Sequence, residues 1–455
     1  MKLFAWQWLA ISSLLAGSLA AAEARPQYGG TLHVAMRSAP TSLDPADRMQ
    51  PDSIARRTLT SLLFDTLVAI DDSGRIRPAL ADSWQAPNHN QRWQFHLRRG
   101  ARFHDGSPLT AEIAAASLHF ANPLCNVSAQ GDTLTIEDSG DPELLAGLAL
   151  PRNAIVKRDA DNKLSGTGPF HVVDWQPGKK LTLAANEDAW HGRPFLDAIE
   201  IEMGKNFHDQ MTTLDLGKAE LVDVAPEQAH RLSQDHHSLF RSEPVTLLAL
   251  VFAHDAASQE EQALRDALGL CVDRASIRSV FLQGTGQLAA GILPTWISGY
   301  GFVFSTDSDL PKARQLRSQV RSAPAWTLGY DASDPLARLL AERIALNARD
   351  AGLTLQPSSS ATADVRLVEI PLASSDPWIA LHEVIQFAGL PAGKTRAGSV
   401  EELYAEEQAA LADKRLIPLF HLPVSYAASG TLKHVSVHAD GSLDLADAWL
   451  EAAKP

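Results

Sequence analysis

His104 and Asp105 are adjacent residues that could do acid–base chemistry, with the imidazole as the base and the carboxylate as the acid that orients it. His236 and His237 form a second pair of metal-ligand type, in a polar stretch where solvation is the simpler explanation. The sixteen histidines are otherwise scattered along the chain. The chain has no Gly-x-Ser-x-Gly elbow and no His-Glu-x-x-His motif. We therefore predict no catalytic residues and no enzymatic activity.

Glycine-rich stretches and cysteines are the candidates for cofactor or metal sites in this sequence. Residues 166–168 (Gly-Thr-Gly) lack the lysine and the strand–loop–helix context of a P-loop. Residues 284–286 (Gly-Thr-Gly) follow a predicted helix, whereas a dinucleotide fingerprint follows a strand. Cys125 and Cys271 are too far apart for a metal-site spacing, and Cys271 lies on an apolar helix face that predicts a buried thiol. The sequence therefore predicts no cofactor and no resident metal.

Length and charge limit the classes of partner. A chain of 455 residues is too long for one simple core, so two or three domains are expected. The formal net charge is −14, which argues against nucleic acid and anionic membranes as partners, because both require basic patches. An acidic balance is compatible with a cationic ligand but does not identify one.

The first 24 residues have the pattern of a secretory signal peptide. Lys2 is followed by an almost entirely apolar run from Leu3 to Ala16, and then by small residues that allow cleavage after Ala22 or Ala24. The run is too short for a transmembrane helix, although an uncleaved anchor is the alternative. No later segment is apolar enough to span a bilayer. We expect a periplasmic protein that is not inserted in the membrane after cleavage.

The elements that must position any site are clearest at residues 78–120. Trp93, Phe95 and Leu97 alternate with polar residues, which predicts a half-buried strand. Thr110 can cap a following helix, on which Ile113, Ala116 and Phe120 share one face. This segment contains three motifs, which are Pro-Ala-Leu-Ala-Asp-Ser-Trp (78–84), Arg-Trp-Gln-Phe-His-Leu-Arg (92–98) and Gly-Ala-Arg-Phe-His-Asp-Gly-Ser-Pro-Leu-Thr-Ala-Glu (100–112).

Two further segments predict a mixed α/β architecture. The apolar run 245–252 predicts a strand that is buried on both faces. Residues 326–356 predict a strand, a helix that begins at Asp334-Pro335, and a second strand after Gly352. Leu339, Leu340, Ile344 and Ala348 are expected on the inner face of that helix. Such a unit suits a mixed sheet.

These motifs closely resemble the signature of the family 5 solute-binding proteins, the extracytoplasmic dipeptide, oligopeptide and nickel receptors of ABC importers. The resemblance rests on the block 78–112, on the opening Gly-Gly-Thr-Leu (29–32) with Ser-Leu-Asp-Pro (42–45), and on Gly-Thr-Gly-Pro-Phe (166–170). Ala101 and Glu112 replace the usual valine and aspartate. The resemblance spans essentially the mature chain but is thin at residues 122–164 and 357–415.

The resemblance implies an α/β fold of the two-lobed periplasmic binding protein class (type II, cluster C-like), with mixed sheets and a reduced extra domain. Lobe 1 would comprise residues 25–60, 165–244 and 418–455, and lobe 2 residues 245–417. Residues 61–164 would form a small appended domain that looks trimmed. The lobes would close by a hinge through crossings near residues 243–246 and 416–421.

The resemblance also directs attention to the loop at residues 373–378, which anchors the peptide ammonium in peptide-binding relatives. Here the loop is short, Leu372 replaces the leading tryptophan, the anchoring aspartate is missing, and Asp376 matches the second, structural acid. The candidate ligand-binding residues all lie near the implied cleft. They are found on the first loop, at the lobe crossings, on an aromatic loop and around residues 376–382. They are Thr41, Ser42, Phe252, His254, Trp296, Tyr300, Asp376, Trp378, His382 and Tyr426.

The resemblance therefore implies a monomeric periplasmic receptor that binds a solute and delivers it to an inner-membrane ABC permease. Peptides are the default ligand, and nickel or a metal chelate and small organic solutes are alternatives. A sensory or scaffold protein that kept the fold but lost transport is a different class of hypothesis, which the altered loop and the trimmed domain motivate.

Overall fold

A computed structural model describes residues 25–86, 91–137, 143–232, 238–300, 304–360, 362–391 and 398–451. The predicted signal peptide, residues 1–24, and the pair His236-His237 lie outside these ranges. Within these ranges, no helix is both long enough and apolar enough to cross a bilayer.

The described ranges contain twenty-three strands and twelve α-helices. The strands are β1 Thr31–Ala35, β2 Val68–Ile70, β3 Ile76–Pro78, β4 Ala81–Gln85, β5 Arg92–Leu97, β6 Asn126–Gln130, β7 Thr133–Glu137, β8 Lys157–Arg158, β9 Leu164–Ser165, β10 Phe170–Gln176, β11 Lys180–Ala185, β12 Ala198–Glu202, β13 Leu221–Val224, β14 Ser238–Phe252, β15 Gln287–Leu288, β16 Ala325–Gly329, β17 Thr354–Ser358, β18 Val365–Pro371, β19 Leu416–Ala428, β20 Leu432–Lys433, β21 Ser436–Val437, β22 Leu443–Asp444 and β23 Trp449–Leu450. The helices are α1 Ile54–Leu63, α2 Ala111–Ala121, α3 Leu144–Leu148, α4 Phe207–Asp215, α5 Ala229–Leu232, α6 Gln259–Cys271, α7 Arg274–Val280, α8 Thr295–Ser298, α9 Leu310–Gln319, α10 Pro335–Asp350, α11 Pro377–Ala388 and α12 Val400–Leu411.

One mixed sheet runs through both lobes in the order β10-β11-β12-β1-β13-β19-β14-β18-β16-β17, with β15 paired to β19. The strand β1 is parallel to β12 and β13 in lobe 1, and β16 is parallel to β17 and β18 in lobe 2. The long strands β14 and β19 belong to both halves. Their pairing is irregular around Pro244 and Pro423, which face each other. Because proline cannot donate to the ladder, both strands lack a donor at this point.

The strand β14 is buried on both faces from Val245 to Leu250, as the apolar run predicts. Leu248 and Leu250 pack in one core of lobe 2, whereas Leu247 and Ala249 pack in a second core on the opposite side of the sheet. A strand covered by helices on both sides has no polar face, so its sequence loses the period of two. This prediction is confirmed.

The appended domain is a four-stranded sheet, β4-β5-β7-β6, covered by α2. The predicted alternation in β5 is confirmed, because Trp93, Phe95 and Leu97 are all buried. Thr110 caps α2 as predicted, but the face shared by Ile113, Ala116 and Phe120 is not the most buried one. Phe120 is 54% exposed, and the buried residues are Ala111, Ala114, Ser117 and Leu118. An alanine-rich helix has little amphipathic contrast, and Phe120 instead stacks under the guanidinium of Arg158 at 4.0 Å.

Lobe 2 contains the predicted unit β16-α10-β17, in which Asp334 caps α10 and Gly352 follows its end. Leu340, Ile344 and Ala348 are buried as predicted, but Leu339 is 47% exposed and lies on the outer edge of the apolar stripe. The thiol of Cys271 is buried in α6, as expected, and burial raises its pKa to about 12.

Candidate functional site

A cavity of about 620 Å³ lies between the two lobes. The parallel strands β1 and β13 of lobe 1 and β16 of lobe 2 end at this cavity, and ligands of open α/β sheets bind at such carboxyl ends. The residues after β1 and β16 therefore face each other across the lobes. The other walls of the cavity are formed by the first turns of α1, α4 and α10 and by the middle of β19.

Arg37, which follows β1, is the central cation of the cavity. Its Nη1 lies 3.4 Å from Oδ2 of Asp334, and its Nη2 lies 3.4 Å from Oδ2 of Asp331. Its backbone N–H donates to Asp223 Oδ2 at 2.7 Å. Both side-chain contacts join lobe 1 to lobe 2, and both are longer than the 2.7–2.9 Å of a strong charge-assisted hydrogen bond. Arg37 is thus a loose counter-ion that bridges the two lobes.

Carboxylates outnumber cations around this cavity. The acidic lining residues are Asp223 and Glu227 of lobe 1 and Asp331, Asp334 and Glu369 of lobe 2, and the basic ones are Arg37 and Lys205. The rest of the lining is largely apolar, with Phe207 and Tyr426 as its aromatic residues. A cavity with this surplus of negative charge attracts a positively charged guest.

The acidic groups are short of neutralising partners. Burial raises the pKa of Asp223 to about 6, against the lowering effect of Arg37 and Gln210. Burial, and after it the charge of Asp334, raises the pKa of Glu369, which is enclosed by protein yet open to the water of the cavity. Burial also raises the pKa of Glu227. A bound cation would favour the ionised form of each group.

Tyr426 is the one sequence-predicted residue that lines this cavity. Its ring is 6% exposed, and its hydroxyl donates to Gly441 O at 2.9 Å. Thr41 and Ser42 line a different cavity of about 1090 Å³, between lobe 1 and the appended domain. Within that cavity Ser42 Oγ accepts from Asp44 N at 3.2 Å, which stabilises the turn.

Phe252 and Trp378 lie in the hydrophobic cores of lobe 2, with exposures of 2% and 6%. Phe252 packs edge-on against Trp326 with ring centroids 5.2 Å apart. Neither side chain lines the cavity between the lobes, and both pack against other apolar residues. His254 is exposed, and its carbonyl accepts from Arg265 at 2.9 Å.

Trp296 and Tyr300 hold a loop in place instead of facing the cavity. Trp296 Nε1 donates to Pro244 O at 2.9 Å, at the strand irregularity between the lobes. The hydroxyl of Tyr300 donates to Glu407, a carboxylate buried on α12. Similarly, His382 Nδ1 lies 3.2 Å from Glu143 Oε1 and connects α11 to the appended domain.

Asp376 caps α11, and its Oδ1 accepts from the backbone N–H groups of Trp378 and Ile379 at 3.0 and 3.1 Å. This is the structural role that the motif comparison assigns to the second acid of the loop. We expect Asp376→Ala to lower the free energy of unfolding by about 1 kcal/mol, the usual value of an N-cap, and to leave ligand affinity unchanged. Denaturant midpoints measure this loss.

Asp376→Asn is the matched control, because asparagine caps as well as aspartate but carries no charge. It should keep the stability of the wild type. A loss of ligand affinity in Asp376→Asn, at the stability of the wild type, would show that the carboxylate binds the ligand.

The sequence analysis missed Arg37, Asp331, Asp334 and Glu369. The available signal was positional, since Arg37 directly follows a predicted first strand, and Asp331 and Asp334 lie between a predicted strand and its helix. Such strand ends are where sites form in α/β folds. Within the described ranges, no group of three or more His, Cys, Asp or Glu side chains is placed to hold a metal ion.

The model of the bacterial extracellular solute-binding proteins, family 5 (middle region), matches residues 75–368. The chain belongs to this family. The resemblance drawn from the sequence motifs is therefore confirmed, and with it the two-lobed α/β fold class.

Individual relatives agree with this assignment. The nickel-binding protein NikA of Staphylococcus aureus is 27% identical over 50% of this chain and 49% of its own length. The oligopeptide-binding protein AppA of Bacillus subtilis is 26% identical over 63% of this chain and 57% of its own length. The chain thus spans about half the length of these curated relatives.

A solved structure shares the fold over almost the whole molecule. It is the dipeptide-binding protein of Pseudoalteromonas sp. SM9913 in complex with Met-Leu, with a TM-score of 0.80 at 16% identity, covering 93% of this chain and 100% of that chain. At this identity the likeness concerns the fold alone.

Proposed function

We propose that this protein is the periplasmic receptor of an ABC importer and that it encloses a small, positively charged solute in the cavity between its lobes. The observation that carries the proposal is the lining of that cavity, in which Asp223, Glu227, Asp331, Asp334 and Glu369 oppose Arg37 and Lys205. The protein binds its solute without altering it and delivers it to an inner-membrane permease.

Family membership supports the receptor role, and the relatives bind different classes of ligand. Their printed names refer to nickel and oligopeptides, and one solved complex contains the dipeptide Met-Leu. The anchoring aspartate for a peptide ammonium is missing from the loop at residues 373–376. The carboxylates of the cavity offer the ammonium of an amino acid, a diamine or a short cationic peptide another place to bind.

The division into lobes belongs to the same proposal. Lobe 1 would comprise residues 25–60, 165–244 and 418–455, lobe 2 residues 245–417, and the appended domain residues 61–164. The paired prolines Pro244 and Pro423 support a hinge there, because the ladder is interrupted at both strands together. We further propose that the chain is exported by a cleaved signal peptide and acts as a monomer.

Thermal-shift and calorimetric titrations test the ligand class. We expect L-lysine, L-arginine or 1,4-diaminobutane to raise the melting temperature, and L-glutamate and trialanine to leave it unchanged. Glu369→Gln should lower the affinity for the bound cation at least about tenfold, which corresponds to about 1.4 kcal/mol, because it removes one charge that faces the guest.

Glu342→Gln is the matched control. Glu342 lies in α10 of the same lobe, but it is exposed and pairs with Arg338 at 2.9 Å, away from the cavity. It should bind the cation as the wild type does. Binding of an anionic or neutral probe in preference to every cation would overturn the ligand class. Silence across the panel, with a tight protein partner in a pull-down, would favour a scaffold instead of a receptor.

A further inference from the structure

A second cavity of about 320 Å³ lies where the appended domain meets both lobes, and helix α1 contributes residues to both cavities. Ser53, Ile54 and Thr58 line the larger cavity. Arg57, Thr60 and Ser61 line the smaller one, together with Ala373, Ser374 and Ser375 of lobe 2. The two spaces would form one long cleft if the wall at α1 were absent.

Arg57 is the centre of this wall. Its Nη1 donates to Leu372 O of lobe 2 at 2.6 Å and to Asp440 O of lobe 1 at 3.1 Å. Its Nε lies 3.1 Å from Asp52 Oδ2, and its Nη2 donates to the same carboxylate. The side chain is 1% exposed. A guanidinium whose donors already have protein partners does not bind a ligand but occupies space.

The wall is closely packed around this side chain. A Cβ built on Gly441 would lie 2.9 Å from Val245 Cγ2 and 3.1 Å from Ile54 Cδ1, so the return loop touches both α1 and β14 there. Thr58 Oγ1 accepts from Leu443 N at 3.0 Å on the side of the larger cavity. A ligand therefore cannot pass beside Arg57 while these contacts hold.

We propose that Arg57 determines the size of the ligand by separating the larger cavity from the smaller one. The inference rests on the proposed function, since it takes the larger cavity as the ligand compartment. A sphere of 620 Å³ is about 11 Å across, whereas an extended pentapeptide at about 3.4 Å per residue spans about 17 Å. A compact solute fits on one side of the wall, and an extended peptide needs both sides.

The wall also couples size selection to closure. Leu372 belongs to lobe 2, and Arg57 reaches its carbonyl only when the lobes are together. A guest that projects past α1 would prevent this hydrogen bond. Full closure, and with it the strongest binding, is thereby reserved for guests that stay within the larger cavity.

A length series tests the proposal with the complete mature protein. The probes are lysine amide, Lys-Ala amide and the pentapeptide Lys-Ala-Ala-Ala-Ala amide, which share one cationic head. We expect the wild type to bind the shortest probe at least tenfold more tightly than the pentapeptide. Arg57→Ala and Arg57→Met should reduce this preference to less than threefold.

Arg56→Ala is the matched control. Arg56 is the neighbouring arginine of α1, and it donates to the carbonyls of Gln50 and Asp44, both in lobe 1, at 2.8 and 3.0 Å. Its loss removes hydrogen bonds but no contact between the lobes, so the length preference should remain.

Each outcome decides the matter. Tight binding of the pentapeptide by the wild type would overturn the role of Arg57 and leave the receptor proposal intact, and this result needs no variant that folds. If no probe binds, the proposal of a receptor for cations is wrong. A crystal structure of Arg57→Ala or Arg57→Met then tests independently whether Arg57 separates the two cavities. One continuous cavity supports the proposal, and two separate cavities contradict it.

Discussion

Glu407→Ala is expected to lower the free energy of unfolding by about 3–5 kcal/mol, because it leaves several buried donors without an acceptor. The carboxylate of Glu407 is fully buried and accepts from the backbone N–H groups of Ile292 and Leu293, the latter at 3.0 Å. It also accepts from the hydroxyl of Tyr300. Burial raises the pKa of both Glu407 and Tyr300. Denaturant unfolding followed by far-ultraviolet circular dichroism measures the loss.

Two variants separate this effect from a general change in α12. Glu407→Gln keeps an acceptor for the backbone groups, so it should cost only about 1–2 kcal/mol. Glu401→Ala, at an exposed position in the first turn of the same helix, should cost less than about 1 kcal/mol. Equal losses in Glu407→Ala and Glu401→Ala would show that helix propensity, and not the buried carboxylate, explains the change.

Below neutral pH the wild type should lose about 3 kcal/mol of stability relative to His421→Gln. His421 is 4% exposed on β19, and its Nε2 donates to Ile292 O at 2.9 Å. Burial lowers the pKa of His421 to about 4. Between pH about 6.5 and 4 the unfolded chain binds a proton at this residue while the folded protein does not, so stability falls as the pH falls.

The comparison with His421→Gln isolates this residue. Glutamine can still donate to Ile292 O but does not titrate. Asp223, whose pKa burial raises to about 6, contributes the opposite slope below that pH, and it is present in both proteins. Denaturant midpoints of both proteins at pH 7 and pH 4.5 provide the measurement. A difference that does not depend on pH would show that the pKa of His421 is not lowered in the folded protein.

Local patterns in the sequence predicted much of the fold correctly. Trp93, Phe95 and Leu97 alternate because one face of their strand is buried, and the run 245–252 is apolar because both faces are covered. The pattern did not show which face of α2 is buried, and it failed at Leu339, where more than one stripe of the helix is apolar. Which stripe is buried depends on the neighbouring elements, and these come from other parts of the chain.

The candidate site was predicted less well. Of the residues that were chosen, Tyr426 lines the cavity between the lobes, Thr41 and Ser42 line another cavity, His254 is exposed, and the others contact protein groups. Asp376 caps a helix, Trp378 fills a core, and His382 faces Glu143. Asp376 and Trp378 lie at the start of α11 and His382 lies in its middle. The sequence does not show whether such a side chain points to a cavity, to a core or to its own backbone.

The amino-acid sequence by itself determined the family, the α/β class and most of the strands and helices, because these depend on motifs and periodicities within short segments. Only the tertiary structure decided the character of the ligand cavity. Arg37 contacts Asp331, which lies 294 positions later in the sequence, and Asp334, which lies 297 positions later. The charge of the cavity is a sum over residues that come together only when the lobes fold and close, so no local pattern contains it.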